Sequence, residues 1–327
     1  MNKECKTGGV LVAVPPWAAM ISAWAMVVLM VAVAQFTGEK EIIFPEIAAL
    51  VIGGWVAERQ PWEVDRPKQI VLMAICSFMG IAMVRYAPFS LLAEVLVAFA
   101  LASALLIIFR CTFLPILSAC ILPILLQVES VVYPVSVILM VLIVAGVQAG
   151  LERRHIRLPR AHAPCRYDYR WELRRFLLLL ATLAAVGAVA IGTGWNFMIA
   201  PPLIVGMAEL ADPESPCHTR WPRVYALVAL CAVTGGWGRW LLQGVLGLSA
   251  IPAAAIIMAL VLALVVLLRT PFPPAGAIAL LPFLLADKAL ALYPVQVVVG
   301  FTVLMAAALG ICRLGLRRLE KTAVSRN

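Results

Sequence analysis

Residues 269–285 read RTPFPPAGAIALLPFLL, and residues 110–126 read RCTFLPILSACILPILL. At one fixed offset, Arg110 lies over Arg269, Phe113 over Phe272, Pro115 over Pro274 and Pro123 over Pro282. A proline inside a helix removes a backbone donor and clashes with the preceding turn, at a cost of about 3 kcal/mol. Each stretch therefore predicts a short helix that opens or breaks within apolar sequence, with a cation just before it.

The surrounding chain explains why that matters. It has 327 residues, 64% of them hydrophobic and 13% charged, with a mean hydropathy of +1.00. Soluble domains are about 45–50% apolar and about 25% charged, so one buried core cannot absorb this surface. Runs close to the length of a bilayer crossing predict an all-α, polytopic transmembrane bundle. Apolar segments are expected at about 17–36, 42–57, 70–86, 91–109, 112–127 and 131–150, then at about 174–193, 196–211, 224–242, 250–268, 273–287 and 292–312. The second and fifth segments of each set are short for a bilayer of about 30 Å. They are expected to be tilted, half-spanning or re-entrant. Ala32-Val33-Ala34 resembles a signal-cleavage site, but the apolar run before it is too long, and the first segment reads as a membrane helix.

The division is an N-terminal membrane repeat over 1–150, a basic linker over 151–173, and a second repeat with a basic tail over 174–327. The net charge of +9 is concentrated between and after the apolar runs. Arg153, Arg154, Arg157, Arg160 and Arg166 crowd the linker, and Arg313, Arg317, Arg318 and Lys321 crowd the tail. The positive-inside rule puts both on the cytoplasmic side, together with Lys3 and Lys6 at the N-terminus. Anionic lipid headgroups are the expected partners of these clusters, rather than nucleic acid. The length and style of the chain suggest a bacterial inner membrane.

The likeness between the halves extends upstream. RPKQIVLMAICSFMG from Arg66 overlays WPRVYALVALCAVTG from Trp221, matching Pro67 to Pro222, Cys76 to Cys231 and Gly80 to Gly235. FPEIAALVIGGWV from Phe44 parallels PPLIVGMAEL from Pro201. Two halves in the same orientation imply parallel repeats about an axis along the membrane normal, and paired broken helices point to a binding site between them. RTPFPPAGAIALLPF, with APPLIVGMAELADPESP and the WPRVYALVALCAVTGG that follows, resembles the HPP family of integral membrane proteins. Phe272 stands where that family carries histidine, and Leu114 replaces the first of the paired prolines in the N-terminal copy. Plant plastid members are linked to nitrite transport, so the resemblance implies a transporter or channel for a small anion.

The candidate substrate-binding residues follow from the broken segments: Arg110, Phe113 and Pro115; Arg269, Phe272, Pro273, Pro274, Ala275 and Gly276; Pro45 and Glu46; Pro201 and Pro202. A helix start exposes N–H groups that attract anions, and arginine is suited to hold one. Alternatively, the prolines merely begin short helices, the arginines anchor segment ends at the headgroups, and Glu46 stabilises a helix start. The eight cysteines form no CxxC pair, and His155, His162, Cys165, Cys217 and His218 match no zinc spacing. No metal, cofactor or enzymatic chemistry is expected. A membrane scaffold without a pathway remains the alternative function, an enzyme acting on lipid is a more distant one, and a homo-oligomer is left open. A cysteine placed in the 151–173 linker is expected to resist a membrane-impermeant thiol reagent added to intact cells; efficient labelling from outside would invert the topology.

Overall fold

A computed structural model describes residues 16–57, 60–153 and 168–324. Lys3 and Lys6, Arg59, the linker residues 154–167 with His155, His162 and Cys165, and Arg326 lie outside the described residues. Within them the chain is helical and no strand occurs.

The first half comprises α1 (Pro16–Thr37), α2 (Glu46–Val51, continuing as a π-turn through Val56), α3 (Arg66–Tyr86), α4 (Leu91–Phe109), α5 (Pro115–Leu126) and α6 (Val132–Arg153). The second comprises α7 (Tyr169–Gly192), α8 (Pro201–Leu210), α9 (Trp221–Arg239, continuing as a π-turn through Val245), α10 (Ala250–Leu267), α11 (Pro274–Leu280, continuing as a 3₁₀ turn through Leu284), the single turn α12 (Asp287–Leu290) and α13 (Tyr293–Val324). Eight of these, α1, α3, α4, α6, α7, α9, α10 and α13, are long and apolar enough to cross a membrane. The segments expected to be short are α2, α5, α8 and α11. At 1.5 Å per residue each α-helical part reaches about 18 Å or less, roughly half a bilayer or a little more.

Length sorts the helices into two layers. Between 33% and 50% of the apolar window of each long helix is buried, and the remaining faces turn leucine, valine, isoleucine and phenylalanine outward, as at Leu29, Phe78, Leu101, Leu139 and Leu260. The short helices have no outer face: every residue of α2, α8 and α11 is buried, and so is every residue of α5 up to Leu125. They form the centre of the bundle.

Their contacts come in matched sets. α2 packs on α11 and α8 on α5; α1 packs on α10 and α7 on α4; α5 packs on α3 and α11 on α9. The local devices match too. α4 ends at Arg110 with φ 48°, and α10 runs out at Arg269 with φ 50°. The next N–H in each case reaches back five residues, Cys111 to the Leu106 carbonyl at 3.1 Å and Thr270 to the Val265 carbonyl at 3.3 Å. This is the left-handed helix stop usually made by glycine. Forcing a non-glycine residue into it costs about 1–2 kcal/mol. An unsatisfied carbonyl inside a membrane costs several kcal/mol, so the stop is worth its strain.

Close approach also fixes the core. A Cβ on Gly80 would collide with the Cys120 carbonyl, and one on Gly235 with the Ala279 carbonyl. These two glycines let α3 and α9 lie directly on the backbones of α5 and α11. Tyr133 and Tyr293 then donate their hydroxyls to the Ala119 carbonyl at 2.9 Å and the Ile278 carbonyl at 2.6 Å. α13 runs well past the expected end near residue 312. There a Cβ on Gly315 would collide with Pro213 and Trp171, and Arg318 pairs with Asp168 at 2.9 Å. Gly80→Ala and Gly235→Ala are each expected to destabilise the protein by about 1–3 kcal/mol. Gly146→Ala, where no atom lies within 4 Å of the new methyl, should not lower the thermal midpoint; tryptophan-fluorescence melts in detergent would compare the three.

Candidate functional site at the short helices

Pro45 is the N-cap of α2 and Glu46 its first residue. Glu46 is 2% exposed. Its Oε1 accepts a hydrogen bond from the Ser118 hydroxyl of α5, while its Oε2 is buried with no partner. Pro201 and Pro202 open α8, and Pro115 and Pro274 open α5 and α11. Pro273 lies 3.0 Å from where a Cβ on Gly53 would sit, and a Cβ on Gly276 would sit 2.9 Å from the Ala48 methyl. The α2–α11 contact is therefore one of small residues and a proline ring, with the end of the Ile52 side chain 2.7 Å from where a Cβ on Gly276 would sit.

Phe113 and Phe272 are buried plugs. Phe113 meets Trp62 edge to face at 5.6 Å; Phe272 lies 6.4 Å from Phe301 and fills the space beside Gly206. Ala275 is likewise wholly enclosed. Thus the structure brings Pro45, Glu46, Phe113, Pro115, Pro201, Pro202, Phe272, Pro273, Pro274, Ala275 and Gly276 into one buried region around the short helices. Arg110 and Arg269 do not join it. Both are exposed, at the ends of α4 and α10, and the Arg269 carbonyl accepts from Arg220 at 3.3 Å.

One expectation needs correction. The helix starts do not hold N–H groups open for an anion. Ile47 and Ala48 donate to the Phe44 and Pro45 carbonyls, Leu117 to Leu114, Leu203 to Ala200, and Ala275 and Gly276 to Phe272 and Pro273. Each helix begins with a tight i→i−3 turn that uses its own donors. The proline-opened starts are closed by protein atoms in this conformation. A small apolar cleft lined by Phe99, Ser103 and Phe176 lies elsewhere, between α4 and α7, and a polar cleft of about 500 Å³ lies beside Arg239, Gln243 and Asp287.

Arg239 is a residue that sequence reasoning passed over. It is 8% exposed, and it donates to the Pro282 carbonyl, to the Leu285 carbonyl at 2.8 Å, to Gln243 at 2.8 Å and to Asp287 at 3.0 Å. Arg85 is exposed and donates to the Glu129 carbonyl, in the loop between α5 and α6, at 2.7 Å. Arg239 sits at the C-terminal end of α11 and its 3₁₀ turn, the favourable end of a helix for positive charge. The available signal was an arginine isolated in WGRWLL, between a glycine and an otherwise apolar run.

At the opposite end of the bundle, Arg175 is buried against Glu172 at 2.8 Å and Asp212 at 3.2 Å, and its guanidinium lies over the Phe176 ring. Arg66 pairs with Glu152. In the adjoining loop, burial and then the Asp212 and Glu63 carboxylates push the Glu214 carboxyl above its ordinary range. Glu209, at the end of α8, accepts a long contact of 3.5 Å from Cys217, and its Oε2 has no partner. Six cysteines are free and buried, and no group of three potential metal ligands gathers among the described residues.

Compared with known proteins, the chain matches no family model, no curated protein and no solved structure. The resemblance to the HPP family rests on its motifs alone. Arg239→Met should cost about 1–3 kcal/mol, because it takes the arginine donor from the Leu285 carbonyl and leaves the Pro282 carbonyl only the Leu285 N–H at 3.0 Å. Asp287, with its side chain 87% exposed, should be replaceable by Asn within about 1 kcal/mol; detergent melts of the two variants would show the difference.

Proposed function

We propose that this protein is a transporter or channel for a small anion, nitrite-like in size, and that its path runs between two parallel halves of six segments each. The observation that carries the reading is the crossing of the short helices: α2 of one half lies on α11 of the other, and α5 lies on α8. Broken helices inside a membrane protein are kept where they are buried or line a path. Two such pairs meeting across halves are the arrangement that alternating-access proteins use to build a site. The matched left-handed stops at Arg110 and Arg269 and the matched tyrosine bonds support the two-repeat description.

In this reading the structure is the closed state. Pro45, Glu46, Pro115, Pro201, Pro202 and the Phe272–Gly276 segment become the lining when the halves separate. Arg110 and Arg269 attract anions at the cytoplasmic side from positions that remain wet. The membrane is a bacterial inner membrane, with both chain ends cytoplasmic and the basic linker and tail against anionic headgroups. HPP-family membership belongs to the same proposal, and no catalytic chemistry is part of it.

A second reading has its own support. The tight, side-chain-filled contact between the halves is what a membrane scaffold without a pathway would have. Purified protein in proteoliposomes, assayed with nitrite, formate, chloride and nitrate, separates the two. Transport predicts flux of at least one anion above empty vesicles. It also predicts a fall of about five- to ten-fold in Arg269→Gly, largest at low ionic strength, since steering charges are screened by salt. Glycine accepts the left-handed backbone at this position, so that variant removes the charge and keeps the helix stop. An absence of flux for all four anions favours the scaffold.

A further inference from the structure

Glu46 is not required by the helix it begins. The corresponding short helix of the second half, α8, opens Ala200-Pro201-Pro202-Leu203 with no acid. Ser118 sits at an offset whose partner is Ala277. The α2–α5 contact thus carries an acid and its donor, where the matching α8–α11 contact is apolar. A carboxyl group in a membrane core is costly, and such groups belong as a rule to ion or proton paths.

The surroundings decide which. α1, α5 and α11, all packed on α2, carry no charged side chain; α6, also packed on α2, carries charge only at its far end, Glu152 and Arg153, where Glu152 pairs with Arg66. The titratable groups facing this region are Tyr133 of α6 and Tyr293 of α13, with Cys76 of α3 and Cys120 of α5 beyond Tyr133 and Cys231 of α9 beyond Tyr293. Both tyrosine hydroxyls donate to backbone carbonyls, of Ala119 and Ile278. No lysine, arginine or histidine faces Glu46 from these elements. An ionised carboxylate without a counter-charge in such a place costs far more than one serine hydrogen bond returns, which is about 1.5–3 kcal/mol. A protonated carboxyl fits: the carbonyl oxygen accepts from Ser118 and the unpartnered Oε2 carries the hydrogen.

We infer that Glu46, positioned by Ser118, is a proton-binding site inside the membrane. On the transport reading above, the site gives the protein a proton to move with its solute. A fixed negative charge at the seam would repel an anion, and a neutral acid would not. Proton uptake at Glu46 would therefore precede anion entry, and the two would cross together.

The test keeps the site and the transport reading apart. Infrared difference spectra of the full-length protein in bilayers, recorded between about pH 5 and pH 9, follow the carbonyl stretch of a protonated carboxyl group. The wild type should lose such a band as pH rises, Glu46→Gln should lack it, and Ser118→Ala should keep it at higher frequency because a donated hydrogen bond is gone. A band unaltered by Glu46→Gln, or no titrating band in the wild type, overturns the inference. In vesicles loaded with nitrite as probe, an inward proton gradient should drive wild-type uptake. Glu46→Gln should lose about ten-fold of that driven uptake. A Glu46-dependent band with no nitrite flux in the wild type upholds the proton site and counts against the transport reading.

Discussion

A membrane interior offers no water to an unpaired N–H or C=O, so a helix that ends there must settle its own terminal groups. Four helices of this protein end inside the bundle, and much of the distinctive chemistry serves those ends. Tight first turns use the leading N–H groups of α2, α5, α8 and α11. A left-handed residue at Gln127 closes α5, and the same device at Arg110 and Arg269 closes α4 and α10, the long helices that lead into α5 and α11. Tyr133 and Tyr293 supply hydroxyl donors to mid-helix carbonyls, and Arg239 supplies a cationic donor at the end of α11 and its 3₁₀ turn. Each device is worth about 1–3 kcal/mol, comparable with or larger than the strain it brings.

The second condition is proximity. Donors reach the short helices only because the long ones approach to backbone distance, which Gly80 and Gly235 allow. The long helices in turn keep their leucine- and valine-rich faces for lipid. Packing and polar satisfaction are therefore one problem here. A side chain at Gly235 would push α9 away and with it Arg239, on which the end of α11 depends.

Much of this was legible in the chain. Prolines at 115, 201, 202 and 274 mark helix starts because they cannot act as interior donors, and they fell within one residue of the observed starts. The long spans followed from run length, and the half-length segments from their brevity. Arg239 was not legible, since a single arginine in an apolar run says nothing of which carbonyls it will face. Nor were the closed first turns: a proline predicts where a helix opens, but whether its next N–H groups are free depends on backbone angles that no residue type dictates. Ser118 is one small polar residue among apolar ones, and its pairing with Glu46, 72 positions away in sequence, is a product of the tertiary fold.

The contact of α2 with α11 has a mechanical consequence. Where Ala48 and Gly53 meet Gly276 and Pro273, little projects far enough to interlock, apart from Ile52. Surfaces joined by interdigitated side chains must change rotamers to slip, whereas a nearly smooth one slides as a rigid plane. Two pairs of long helices also join the halves, α1 on α10 and α4 on α7, so the central line offers little resistance of its own and a displacement of one half along the other is resisted at those outer contacts.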